Sequence, residues 1–229
     1  MNGYEWIFFD ADETLFHFDA FRGLQAMFLA YGIIFTEQHF LEYQAINKPL
    51  WVDYQNGLIT SKQLQCQRFD YWAAQLNISA QLLNSAFLAA MLDICEPIDG
   101  ALNLLTALKA SGKKVAVITN GFTELQQARL ERTGFDVYVD FLLTSEQVNS
   151  AKPHRSIFDH ALLLAGNPKR EHVLMVGDTT HDLQMALNAG CPSVGVSYGA
   201  HEPDAFAPWN PRFVAHSVAE LHAWFKAHT

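Results

Sequence analysis

Acidic residues crowd the end of an apolar run near the N-terminus. The stretch "WIFFDADETLF" carries Ile7, Phe8 and Phe9 into Asp10, Asp12 and Glu13. Carboxylates this close repel one another, and a chain tolerates them where a cation or a reaction uses them. Three further segments carry residues of complementary chemistry. "VAVITNG" ends on Thr119, Asn120 and Gly121, "SAKP" holds Lys152, and "VLMVGDTTHD" holds Asp178 and Asp182. Carboxylates, a hydroxyl and an ammonium form a set suited to phosphoryl transfer. Several carboxylates can hold a hard cation such as Mg²⁺ together with a substrate phosphate. One carboxylate can attack phosphorus. A second can give a proton to the leaving oxygen and take one back from water. Thr119, Lys152 and the backbone N–H groups around Asn120 and Gly121 would stabilise the equatorial oxygens.

These residues act together only if the fold gathers them. Short β-branched and aromatic runs predict strands at Glu5–Asp10, Lys114–Thr119, Phe141–Thr144, Val173–Val176 and Ser193–Val196. Helical patterns fall at Gly100–Ala110, Thr123–Thr133, Pro153–Ala165 and Asp182–Ala189. The alternation implies right-handed βαβ units and an α/β, Rossmann-like parallel sheet. In such a sheet ligands lie beyond the carboxyl ends of the strands, and each chemical segment follows one. Between the first two strands the pattern is helical throughout, at Ala20–Tyr31, Glu37–Ile46, Ser61–Gln75 and Ala80–Ile94. This predicts a helical cap, residues 16–94, inserted into a core of residues 1–15 and 95–229 and closing over substrate, with hinges at Phe16–Asp19 and Cys95–Asp99. Thr60 and Gln63 are spaced as a capping box. Pro153 is expected to hold Lys152 extended and to open the next helix. The stretch from Gly199 to Phe213, rich in Pro, Ala and aromatics, is expected to be irregular.

Composition narrows the function. Half of the 229 residues are hydrophobic, which predicts a sizeable core. The net charge of −9 argues against a nucleic-acid partner, while a local cationic pocket still permits a small phosphate ester. No apolar run reaches the roughly 18 residues of a membrane span, and no basic-then-apolar leader opens the chain. A cytoplasmic protein with no membrane partner is expected, its oligomeric state left open. Cys66, Cys95 and Cys191 are expected to be free thiols of a reducing compartment. The ten histidines form no metal-binding spacing. Trp51, Tyr54, Phe69, Tyr71 and Trp72 read as core. Phe16, His17 and Phe18 read either as hinge packing or as lining for the leaving group, and Asn47 and Lys48 as candidate polar contacts.

The four chemical segments, taken in order, resemble the haloacid dehalogenase superfamily in its phosphatase members. The resemblance implies that Asp10 is a nucleophile forming an aspartyl-phosphate, that Asp12 is the general acid/base, and that Thr119 and Lys152 bind the phosphoryl group. It implies a Mg²⁺ site made by Asp10, the Asp12 carbonyl and Asp178, with Asp182 acting through water or orienting Lys152. The second acid, Asp12, favours phosphate-ester hydrolysis over carbon–halogen cleavage. "WIFFDADETLF", "YQAINKPLWVDYQNGLITS" and "ITNGFTELQQARLERTG" are most similar to bacterial house-cleaning pyrimidine 5′-nucleotidases, which implies a nucleoside 5′-monophosphatase with a pyrimidine preference. From about His181 the sequence is more similar to the phosphoglycolate phosphatase branch, which implies a small organic phosphate as the alternative substrate. The change of likeness also raises a recombined chain, whose tail would leave cavities against Val173–Val176. A signalling receiver, a phospho-acceptor without turnover, shares the acids, Thr and Lys, but it is smaller and has no cap.

Overall fold

The apolar run that opens the chain becomes the middle of a sheet. The computed structural model describes residues 3–228. Strand β1 (Trp6–Phe9) is buried along its whole length. The chain then makes α1 (Ala20–Leu29), α2 (Glu37–Gln55), α3 (Ser61–Gln67), α4 (Asp70–Leu76) and α5 (Ala80–Asp93). It returns through α6 (Ala101–Ala110), β2 (Lys114–Thr119), α7 (Thr123–Thr133), β3 (Phe141–Thr144), α8 (Ser145–Val148) and α9 (Arg155–Leu164). Strand β4 (Val173–Gly177), α10 (Thr180–Ala189), β5 (Ser193–Val196), β6 (Phe213–Ala215) and α11 (Val218–His228) complete it. The strands run parallel in the order β3-β2-β1-β4-β5-β6. That order reverses direction between β1 and β4, and a crevice opens at such a switch point beyond the strands' carboxyl ends.

Two compact units result, one ending at His17 and resuming at Glu96, the other Phe18–Cys95. Phe16 belongs to the α/β unit, although the sequence reading opens the helical insertion there. It is fully buried, stacks on Phe135 at 5.2 Å and pairs with Pro97. The His17 N–H donates to the Glu96 carbonyl at 3.0 Å and the Ile98 N–H to the Leu15 carbonyl at 2.9 Å, so the two crossings lie side by side.

In the helical unit Phe28 stacks on Phe35 at 4.8 Å and meets Trp72 at 4.6 Å. Tyr54, Phe69 and Trp72 are buried core, whereas Tyr71 is 53% exposed. The Thr60–Gln63 capping box forms, closing α3 at its start. The helix expected over Ser61–Gln75 breaks between α3 and α4. At the break Arg68 turns inward, donates to Asn84 Oδ1 at 3.2 Å and lies over the Phe69 and Phe87 rings. Helix α2 runs past Ile46 and through Pro49, with Tyr54 buried near its end.

Two other expectations change. Helix α9 starts at Arg155 with His154 at its N-cap, so Pro153 lies outside it. The tail is more ordered than its composition suggests: a 3₁₀ segment at Pro203–Trp209 precedes β6, and α11 buries Val218, Leu221 and Phe225. Val173–Val176 are completely buried. Among the described residues no helix is long and apolar enough to cross a membrane.

Phe8 sits at the centre of the aromatic packing, its ring 5.8 Å from Trp6, 5.9 Å from Phe141 and 5.4 Å from Phe158. Phe8→Ala should cost about 3–5 kcal/mol in urea unfolding. Leu163→Ala, at an exposed helix position, should stay within about 0.5 kcal/mol.

Candidate active site

Asp10 directly follows strand β1, and its N–H donates to the Val176 carbonyl at 2.9 Å. Strand β4 ends beside it, with Asp178 on the turn that follows and Asp182 in the first turn of α10. One carboxylate oxygen from each of Asp10, Asp178 and Asp182 lies within 4.8 Å of the other two, and all three residues are buried. Lys152 reaches into this group from the loop before α9. Its Nζ donates to Asp10 Oδ1 at 2.5 Å, to Asp182 Oδ1 at 2.7 Å and to the Ile118 carbonyl at 3.1 Å.

Each member is held by a second contact. Asn120 clamps the Lys152 backbone from both sides: its Oδ1 accepts the Lys152 N–H at 2.8 Å and its Nδ2 donates to the Lys152 carbonyl at 3.1 Å. Asp182 Oδ2 accepts from the Thr179 N–H at 3.1 Å and the Thr179 hydroxyl at 2.6 Å. Asp178 Oδ1 accepts from the Thr14 hydroxyl at 3.3 Å, and its Oδ2 accepts from the Ala200 N–H at 2.8 Å. Gly199 lets that loop approach, since a Cβ there would lie 2.4 Å from the Asp178 Cβ.

The electrostatics follow from three acids sharing one cation out of water. Burial, only partly offset by Lys152, pushes the Asp10 carboxyl well up. Burial and the Asp182 charge raise Asp178 to about 6. For Lys152 burial favours the neutral amine, but Asp10 and Asp182 outweigh it and raise the ammonium. Negative charge therefore remains in excess. Oxygen donors at this spacing fit a hard divalent cation, which prefers carboxylates and keeps some waters.

The remaining expected residues divide. Thr119 is buried at the end of β2, and its Oγ1 accepts the Gly121 N–H at 2.9 Å. That bond leaves the Thr119 O–H to donate outward, but it engages the Gly121 amide expected to bind phosphate. The Asn120 side chain is likewise engaged on Lys152, so it acts through that residue. The Asp12 carboxylate lies outside the Asp10–Asp178–Asp182 cluster. It pairs with Arg129 Nη1, and Gln126 Nε2 lies 3.3 and 3.2 Å from its two oxygens. Glu13 takes a left-handed backbone, φ 54°, in the turn that follows. In the helical unit Asn47 Oδ1 is buried without a hydrogen-bond partner and Lys48 is exposed.

Sequence reasoning passed over Thr14, Gln126, Arg129 and the Tyr198–Ala200 loop. The signal for two of them lies in α7, whose buried positions are Leu125, Gln126, Arg129 and Leu130. Polar residues three apart on a core-facing stripe mark side chains with buried partners.

The family of haloacid dehalogenase-like hydrolases matches residues 4–190. The pyrimidine 5′-nucleotidase YjjG of Escherichia coli is 54% identical over 96% of this chain and 95% of its own. A phosphoglycolate phosphatase of Salmonella choleraesuis is 34% identical over 51% of this chain and 46% of its own. In structure, the HAD-hydrolase YfnB of Bacillus subtilis, solved bound to magnesium, superposes with a TM-score of 0.80 at 23% identity, covering 98% of this chain and 99% of that one. The four chemical segments, their common sheet edge and these matches agree: the chain belongs to the haloacid dehalogenase-like hydrolases, as a phosphatase of that family.

Proposed function

We propose that the chain is a Mg²⁺-dependent phosphomonoesterase working through an aspartyl-phosphate on Asp10, with nucleoside 5′-monophosphates, pyrimidine ones first, as substrates. The observation that carries the reaction is the buried Asp10–Lys152–Asp182 arrangement with Asp178, placed at the sheet's switch point. The nucleotide preference is supported by the 54% identity to the E. coli pyrimidine 5′-nucleotidase over nearly the full length of both chains.

Asp10, Asp178 and Asp182 would hold or orient the cation, together with the Asp12 carbonyl. Bound there, Mg²⁺ neutralises the acids and draws charge from the substrate phosphate. Lys152 engages Asp10 Oδ1 and leaves Oδ2 to attack phosphorus. The ammonium and the Thr119 hydroxyl then face charge that develops on the equatorial oxygens, fixed in place before reaction. As the bond from phosphorus to the leaving oxygen breaks, its electron pair stays on that oxygen, which takes a proton from Asp12. Water next attacks phosphorus and gives a proton to Asp12, while the bond from phosphorus to Asp10 Oδ2 breaks, its electron pair returns to that oxygen and inorganic phosphate leaves.

Asp10→Asn should lower turnover by at least about 10³-fold while the far-ultraviolet circular dichroism and melting temperature stay near those of the parent. Retention of most activity in that variant would rule out the aspartyl-phosphate route. Across nucleotides, sugar phosphates and phosphoglycolate, kcat/KM should peak at UMP and dUMP. A peak at phosphoglycolate would transfer the chain to the other branch, and a flat profile would exclude a dedicated nucleotidase.

The buried acids also predict how the cation and pH are linked. With folded pKa values above those of the unfolded chain, Asp178 and Asp10 keep protons that the unfolded chain has lost. Stability of the metal-free protein therefore falls as pH rises from roughly 4 through 6. The cation binds ionised carboxylates, so about 10 mM Mg²⁺ should raise the melting temperature by several degrees at pH 7.5 and much less at pH 5. Equal shifts at both pH values would show that these acids do not bind it.

A further inference from the structure

Arg129 is a guanidinium with 1% of its side chain exposed, seated on the core-facing side of α7. Nη1 pairs with Asp12 Oδ1, and Nη2 donates to the His17 carbonyl at 2.9 Å. Its Cζ lies 4.7 Å over the ring of Phe16, which is itself buried against Phe135. One turn away on the same face, Gln126 is 1% exposed, and its Nε2 points at the Asp12 carboxylate. Space for that amide depends on Gly121, where a Cβ would come within 2.3 Å of Gln126 Nε2. Asp12 is thus the outward end of a buried polar chain, with 27% of its side chain exposed.

A buried cation needs a partner, and a surface ion pair would have served without this framework. The framework fixes direction. Arg129 Nη1 engages Asp12 Oδ1, whereas Gln126 Nε2 lies astride the carboxylate, 3.3 Å from Oδ1 and 3.2 Å from Oδ2, so the guanidinium is what distinguishes the two oxygens. Resting on the reading of Asp12 as proton carrier, we propose that Arg129 and Gln126 are positioning residues that fix the Asp12 carboxyl so that Oδ2 carries the transferred proton. In the first half-reaction the Asp12 Oδ2–H bond breaks, its proton goes to the leaving oxygen, and the electron pair stays on Oδ2. In the second half-reaction that pair takes the proton from the attacking water. Neither positioning residue touches substrate. They determine which oxygen faces it and hold the carboxyl in one rotamer. A carboxyl left to swing would meet the leaving oxygen in only part of its conformers.

The dependence of the rate on the leaving group separates this role from a merely structural one. A nucleoside 5′-oxygen is a poor leaving group and needs the proton, whereas p-nitrophenolate departs with little help. The parent, Asp12→Asn, Arg129→Met, Arg129→Lys and Gln126→Met are compared by kcat/KM on UMP and on p-nitrophenyl phosphate, after thermal melts establish that each is folded. Arg129→Met should lose about 100-fold on UMP and under about tenfold on the aryl ester, with Arg129→Lys restoring part of the difference. Gln126→Met should show the same selectivity at about tenfold, and it stands in for Arg129→Met if that variant fails to fold. Equal losses on both substrates, or none, in the folded variants overturn the assignment. If Asp12→Asn itself loses equally on both, the reading of Asp12 as the acid fails. If Asp12→Asn is selective and the Arg129 and Gln126 variants are not, only the positioning role falls.

Discussion

Lys152 is 3% exposed and lies among Asp10, Asp182 and the Ile118 carbonyl at the point where β1 and β4 part. Each ion removed from water costs several kcal/mol, and their mutual attraction offsets this only where geometry is good and remaining donors and acceptors are satisfied. Much of the surrounding structure supplies that geometry. The Asn120 amide grips the lysine backbone, Thr179 holds Asp182, and Thr14 with the Ala200 amide holds Asp178. Parallel strands bring these groups together because each loop that follows a strand opens on the same edge. The arrangement carries more negative than positive charge, and this imbalance prepares it for a cation and a phosphate.

The same edge treats its two leading acids differently. Asp10 continues β1 and faces inward beside Asp178 and Asp182. Two residues on, the chain has entered a tight turn in which the Leu15 and Phe16 amides both donate to the Ala11 carbonyl. That turn aims the Asp12 side chain at α7 and away from Asp178. Two acids this close in sequence are distinguished by their surroundings. Here a burial difference and a separate cation for each, Lys152 for Asp10 and Arg129 for Asp12, supply the distinction.

Legibility in the sequence followed the strength of the local signal. Continuous apolar strands with their terminal polar residues were readable, because a doubly covered parallel strand has no other way to look. The doubly wound α/β fold and its helical insertion came from the same pattern. Roles depending on a tertiary partner were not readable. Asn120 and Gly121 sit where phosphate-binding amides are expected, yet the Gly121 N–H is engaged on Thr119 and the Asn120 side chain on Lys152. Phe16 was ambiguous between hinge and pocket until Phe135, remote in sequence, was stacked on it. The break at Arg68 rests on Asn84 and two aromatic rings, none of which local helix propensity can report. Strand β6 is a three-residue edge strand, too short for alternation to register.

The C-terminal segment bears on how far site and tail can vary independently. After β5 the chain passes back over the opening motif: the Tyr198 hydroxyl donates to the Thr14 carbonyl at 3.2 Å, and Ala200 donates to Asp178. Between them, a Cβ on Gly199 would lie 2.6 Å from the Glu13 carbonyl oxygen. Glu13 thus contributes through its backbone. Its left-handed backbone shapes the turn against which this loop closes. A tail exchanged from another branch would have to reproduce a small residue, an N–H donor and a hydroxyl at three consecutive positions against a left-handed turn. Shared ancestry along the whole chain satisfies that constraint more simply, in agreement with the 54% identity that extends over 96% of its length.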